Sequence, residues 1–258
     1  MRAAEYDLMR AVEDRHWWYD VLRSLVRHAL AGRMPPRGRL LDAGCGTGGM
    51  LDYLQGRMCD LEMKGIDDEE QAVRHCHQRG LHSVQLGSVE ALQFKDAAFD
   101  AVLSLDVLYH ARVIEERALA EMGRVLRPDG LLVLNLPAIG WLRGSHDMAV
   151  SSARRYGEGE VRALLDRCGF VTETVHYWNA WLFLPLLVWR QLSRLKVRRG
   201  WSGSDLELTP GWMNATLANM GRLDAGMCRE FRLPFGSSVF AVARKMQPSA
   251  GGLQHGKN

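Results

Sequence analysis

The 258 residues are 47% hydrophobic and 24% charged, an ordinary globular composition in a chain long enough to bury one full core. The formal charge of +3, with Lys and Arg balanced by Asp and Glu over most of the length, argues against a nucleic-acid partner. The longest apolar stretch, Val175 to Trp189, falls short of the roughly 20 residues a bilayer span needs and contains Asn179 and Pro185, which argues against a spanning helix.

Five cysteines (Cys45, Cys59, Cys76, Cys168 and Cys228) stand singly with no CxxC pair, the pattern of reduced thiols in a cytoplasmic protein. The first 20 residues are charged and helix-like and lack the apolar core of a signal peptide.

In chain order, residues 5–31 carry apolar positions at helical spacing (Leu8, Val12, Val21, Leu22, Leu25, Val26, Leu30), ended by Gly32 and Pro35–Pro36, which predicts one or two N-terminal helices. RLLDAGCGTGGMLDYLQ then reads as a strand ending at Asp42, a glycine-rich turn over Gly44 to Gly49, and a helix opening near Met50. Strand and helix patterns alternate afterwards: strands at 61–66, 83–86 and 101–105, helices at 69–78 and 113–125. GLLVLNLPA follows the Pro128-Asp129-Gly130 turn as another strand. A helix at 158–168, a strand at 170–177 and a last strand in PFGSSVFAVARK complete the series.

Such alternation predicts an α/β fold: a mostly parallel, seven-stranded sheet covered by helices on both faces. One domain is expected over residues 1–246, with N-terminal helices at 1–37, the core at 38–178 and 234–246, and a helical cap insertion at 179–233. That insertion far exceeds the usual connection of about 4 to 6 residues, so it should carry structure of its own, with a helix from about Gly211 to Met227. The polar, glycine-containing tail at 247–258 is expected to be disordered.

The chemistry centres on Asp42-Ala43-Gly44-Cys45-Gly46-Thr47-Gly48, with Asp67 closing the next strand. Glycines let the backbone approach a ligand, and a carboxylate at the end of the second strand can accept both hydroxyls of a ribose. A glycine array alone fits any tight α/β turn, and GxGxxG is formally present as Gly44, Gly46 and Gly49, so a nicotinamide dinucleotide is one reading of the motif.

LLDAGCGTG, GIDDEE, GSVEALQFKDAAFDAVLSLDVLYH and VLRPDGLLVLNLP together resemble, in order over residues 39–138, the class I S-adenosylmethionine-dependent methyltransferases, specifically the small-molecule group with a DxGCGTG signature. The resemblance implies a Rossmann-like fold and S-adenosylmethionine as cofactor, with S-adenosylhomocysteine as product. It counts Asp42 among the cofactor-binding residues and places the backbone of Ala43, Gly44 and Gly46 along the methionine part, Asp67 on the ribose, and Asp68, Ser88 and Val89 around the adenine. Ser88 stands where many relatives carry Asp. Leu105 and Asp106 fall at the cofactor edge, Asp106 being equally readable as a helix cap. The His16-Trp17-Trp18-Tyr19 cluster resembles the family's N-terminal lid, with Trp18 and Arg23 on the cofactor. The same cluster also reads as an aromatic staple on the core.

If the acceptor is a hydroxyl, a general base is required, and His110 and His146 are the candidates. Each also reads as a bystander, the first packed on the sheet and the second solvated. Acceptor contacts are expected from Tyr19, Tyr109, Arg154, Arg155 and Tyr156. His75 and His77 lie two apart on a helix and point away from each other, so no metal is assigned.

Residues 181–199 join an apolar half to a basic half holding Arg190, Arg194, Lys196, Arg198 and Arg199. They read as a helix packed on the sheet, as a lid over the acceptor, or as a peripheral contact with an anionic membrane surface. The 211–227 helix could close the pocket or make a homodimer contact. The leading reading is O-methylation of a small hydrophobic metabolite of natural-product type. The alternatives are a cyclisation or rearrangement that uses the cofactor structurally, and an NAD-binding Rossmann protein.

Overall fold

The computed structural model describes residues 3–138, 154–181 and 210–247. Two helices lead the chain, α1 (Ala3–Val12) and α2 (Trp17–Leu30). The core follows as β1 (Arg39–Ala43), α3 (Gly49–Gln55), β2 (Glu62–Asp67), α4 (Glu70–Gln78), β3 (Val84–Leu86), β4 (Phe99–Leu105), α5 (Glu115–Val125), β5 (Leu126–Pro137), α6 (Glu158–Arg167) and β6 (Phe170–Trp178). The chain closes with α7 (Gly211–Phe231) and β7 (Ser238–Lys245).

The seven strands form one sheet in the order β3-β2-β1-β4-β5-β7-β6, parallel except for β7, which runs antiparallel to both of its neighbours. This is the expected fold. The order reverses at β1, whose two neighbours are β2 and β4, and the crevice outside the carboxyl ends at such a switch point is where open α/β sheets bind ligands. Strands β1, β4 and β5 from Gly130 onward are buried for nearly their whole length because helices cover both faces.

One buried cluster runs from Leu41 and Val102 to α5 and α6, and the other joins α2, α3 and α4 to the opposite face. The second cluster includes α7, which packs along α2 through Ala218 and Ala225. A Cβ on Gly221 would stand 2.7 Å from Val21 Cγ2, so this crossing depends on the small residue.

The five cysteines are free thiols. Among the described residues no helix is long and apolar enough to cross a membrane, and no cluster of metal-ligating side chains occurs. His75 bonds to Asp7 while His77 faces the Val84 carbonyl. The 182–209 part of the insertion and the 248–258 tail lie outside the described residues, as do the membrane and lid readings that rest on them.

Candidate active site

A cavity of about 480 Å³ opens over the carboxyl ends of the strands. The glycine-rich turn forms its floor. Gly44 has φ +91°, and a Cβ there would stand 2.3 Å from Val107 Cγ2, so no other residue fits between β1 and the turn after β4.

Asp67, at the end of β2, accepts the Gly46 N–H at 2.8 Å, the Glu69 N–H at 3.2 Å and the Tyr6 hydroxyl at 3.3 Å. Burial still outweighs these bonds and lifts its carboxyl to about 6. Asp42, buried at the end of β1 beside it, is pushed to about 7 by burial and by the Asp67 charge, and its Oδ1 has no hydrogen-bond partner among the described residues. Asp106 is raised to about 7 by burial, with a 2.8 Å hydrogen bond from Asn135 Nδ2 pulling the other way.

Asp106 does not cap a helix. Helix α5 begins at Glu115 with Ile114 at its cap, well past Asp106. Asp106 instead has left-handed backbone (φ 57°) and is tied to β5 twice, through Asn135 Nδ2 and through its own N–H on the Asn135 carbonyl at 2.9 Å. Asn135 Oδ1 accepts the Trp178 indole N–H at 2.8 Å, and the Trp178 ring lies 5.5 Å from Trp18. A buried polar chain therefore connects Asp106 to the aromatic lid.

That lid joins the two readings of its sequence. Trp17 packs into the core, with Trp181 at 6.3 Å, and still borders the cavity, which Trp18, Tyr19 and Arg23 line beside it. Burial holds the Tyr19 phenol well above its usual range, so it is a neutral donor.

Of the other expected residues, Gly44, Gly46, Asp68, Ser88, Val89, Leu105, Tyr109, His110 and Arg155 line the same cavity. Ala43 is fully buried in β1, a backbone element of the floor. The His110 ring stacks on Tyr109 at 4.4 Å. Arg154 and Tyr156 are not brought to the cavity. The Tyr156 hydroxyl donates to Glu115 at 2.7 Å, with the Leu108 carbonyl 3.2 Å away, and Arg154 pairs with Glu115 at 3.1 Å, so both fasten their segment to α5. His146 lies outside the described residues.

The sequence reading missed α1 as part of this site. Tyr6, Met9 and Glu13 line the cavity from above, at i, i+3 and i+7, a spacing that marks one helix face. Glu13, 4% exposed, accepts from the Thr47 hydroxyl and from Arg79, whose side chain is also 4% exposed. Arg79 reaches the Thr47 carbonyl at 2.8 Å, Asp14 at 2.9 Å and Asp52 at 3.2 Å. Asn179, Ser237 and Ser238 also line the cavity and gave no signal in the sequence, because they follow or precede strands across a long insertion.

Seven carboxylic side chains face the cavity against three arginines. This acidity suits a ligand with cationic groups, as a sulfonium and an α-ammonium are, and Asp67, Ser88 and Val89 line the same cavity as the glycine-rich turn. The residues present fit S-adenosylmethionine.

Residues 41–134 match the family model described as a methyltransferase domain. The chain is 33% identical over 131 residues to a phthiotriol/phenolphthiotriol dimycocerosates methyltransferase of Mycobacterium ulcerans, with 48% of each chain covered, so it spans about half the length of that relative. Its fold is similar to geranyl diphosphate C-methyltransferase from Streptomyces coelicolor A3(2), solved with S-adenosyl-L-homocysteine (TM-score 0.55, 16% identity, 87% of this chain and 78% of the other). It is also similar to the [4+2]-cyclase SpnF (TM-score 0.54, 22% identity, 88% and 81%). The sheet shares its fold with these methyltransferase and cyclase structures, and the stretch that matches the methyltransferase-domain model carries the glycine-rich turn and Asp67.

Proposed function

We propose that the protein transfers a methyl group from S-adenosylmethionine to an oxygen of a small hydrophobic acceptor. The observation that carries this reading is the acidic cavity itself, with Asp42, Asp67 and Asp106 at the ends of three neighbouring strands, all raised and all served by a cationic ligand. The cofactor, when bound, supplies a methyl group already activated on a sulfonium, so the chain's work is alignment and exclusion of water. Asp67 holds the ribose, Ser88 and Val89 flank the adenine, and Arg23 takes the methionine carboxylate. Helix α1 and the aromatic residues Trp18 and Tyr19 close the site against water. For a neutral hydroxyl acceptor, His110 takes the proton, a role supported by its position on the cavity wall.

Support for an apolar acceptor comes from the aromatic wall and from the lipid-like substrate in the name of the Mycobacterium ulcerans relative. The shared frame with a cyclase keeps a second reading in view, in which the cofactor is held but not consumed. Incubation with S-adenosylmethionine and hydrophobic acceptors separates the two. Release of S-adenosylhomocysteine with a product heavier by one methyl group is expected; an altered acceptor with no S-adenosylhomocysteine released would contradict methyl transfer.

A further inference from the structure

The cavity has a second end, on the far side of β4 from Ser88 and Val89, where the antiparallel strand β7 meets its neighbours. Pro137 of β5 and Trp178 of β6 both pair with Ser238 at the start of β7, which draws Asn179, Ser237, Ser238 and Arg155 together around Pro137. Arg155 is anchored there by a 2.9 Å bond from Nη1 to the Ala138 carbonyl, which fixes the plane of its guanidinium. Asn179 is held in left-handed backbone (φ 65°), a conformation Asn tolerates at some cost. It is 2% exposed, yet Oδ1 has no hydrogen-bond partner among the described residues. Such an amide is unfinished without a ligand, and half a turn about χ2 exchanges its oxygen for N–H donors.

Building on the methyltransferase reading, we propose that this end is the subsite for the acceptor's head group and that the head group is a carboxylate, gripped by the Arg155 fork and the Asn179 amide. A carboxylate offers the planar fork two oxygens where an alcohol offers one. A phosphate monoester would bring a second negative charge into a cavity already lined by seven carboxylic side chains. The apolar body of the acceptor lies along Leu105, Val107 and Tyr109. The chemistry balances without a base: one carboxylate oxygen forms the new O–CH3 bond as the C–S bond breaks, and the electron pair of that bond stays on sulfur. A methyl ester and a neutral thioether result, and no proton has to leave. The substrate class is therefore a hydrophobic carboxylic acid.

The test is calorimetric titration of the full chain, saturated with S-adenosylhomocysteine, with octanoate, 1-octanol and octylamine in turn. Octanoate alone should bind. Arg155→Gln should weaken it by roughly tenfold or more, Arg155→Lys should recover part of the loss, and none of these variants should alter the affinity for S-adenosylhomocysteine. Asn179→Asp, which sets a like charge against the head group, should abolish octanoate binding while the protein still melts cooperatively. Equal binding of the alcohol or the amine, no octanoate binding, or unchanged octanoate binding in Arg155→Gln would overturn the assignment. Failure of the wild type to bind S-adenosylhomocysteine would instead overturn the methyltransferase reading on which it rests.

Discussion

The carboxylate of Glu13 sits over Gly49, the first residue of α3, so closely that a Cβ on Gly49 would stand 2.3 Å from Glu13 Oε2. In dinucleotide-binding folds this helix start is where the pyrophosphate rests, because the free N–H groups and the helix dipole favour an anion. Here the chain's own carboxylate takes that place, held by Thr47 and Arg79. The formal GxGxxG of Gly44, Gly46 and Gly49 thus has its anion position filled by Glu13, the residue that follows α1, which accounts for a glycine pattern that alone could suggest a nicotinamide cofactor.

Arg79 is the clasp of this arrangement, and its removal leaves Glu13 as an uncompensated buried charge. Arg79→Met should cost about 3 kcal/mol or more in urea unfolding. Adding Glu13→Gln should return part of that loss, since the double variant buries no unpaired charge. A double variant as unstable as the sum of the two singles would show that Glu13 and Arg79 do not act together.

Stability should depend on pH through the three raised carboxyls. Their folded values, about 7 for Asp42 and Asp106 and about 6 for Asp67, stand above the unfolded value of roughly 4. The folded state therefore holds more protons than the unfolded chain between those values. This contribution is complete below pH ~4 and is lost as pH rises through ~6 to 7. A cationic ligand stabilises the ionised forms, so the rise in melting temperature on adding S-adenosylmethionine should grow across the same window. Melting curves at several pH values with and without the cofactor check both signs; a cofactor effect that shrinks with rising pH would contradict the placement of these acids around a cation.

The sheet and most of its helices were legible because their signals are local. Asp42 and Asp67 close strands whose apolar runs are unmistakable, and the Gly44–Gly49 turn between strand and helix has few other uses. Tyr6 and Glu13 were not legible as site residues. Their partners Asp67, Thr47 and Arg79 lie 34 to 66 residues away, and nothing in the α1 sequence names them. Tyr156 misled for the opposite reason: an Arg-Arg-Tyr run after the fifth strand looks like a polar pocket wall, yet the Tyr156 hydroxyl spends itself on Glu115 and Leu108.

Trp178 connects the lid to Asp106 through one amide. Trp178→Phe removes the N–H and part of the indole's volume, leaving the buried Asn135 Oδ1 unsatisfied beside a small cavity, and should cost ~2 kcal/mol or more. Asn135→Leu removes the donor to Asp106 as well, so the Asp106 carboxyl should rise further above 7. The pH at which cofactor binding tightens should move up with it in Asn135→Leu and stay in place in Trp178→Phe. An identical pH dependence in both variants would separate Asp106 from the cofactor's charge.

Gly44→Ala should destroy the floor of the site. The methyl group would be forced to within 2.3 Å of Val107 Cγ2 in a left-handed backbone, so a loss of ~2 kcal/mol or more is expected, together with loss of cofactor binding. A variant of wild-type stability that still binds the cofactor would show that the turn adjusts.

The most direct test of the central claim is parallel calorimetric titration of the purified chain with S-adenosylmethionine and with NAD, repeated on Asp67→Ala. Binding of S-adenosylmethionine alone, lost in the variant, is what an acidic cavity with its helix start sealed by Glu13 predicts. Folded protein that ignores S-adenosylmethionine, or binds NAD more tightly, would contradict it.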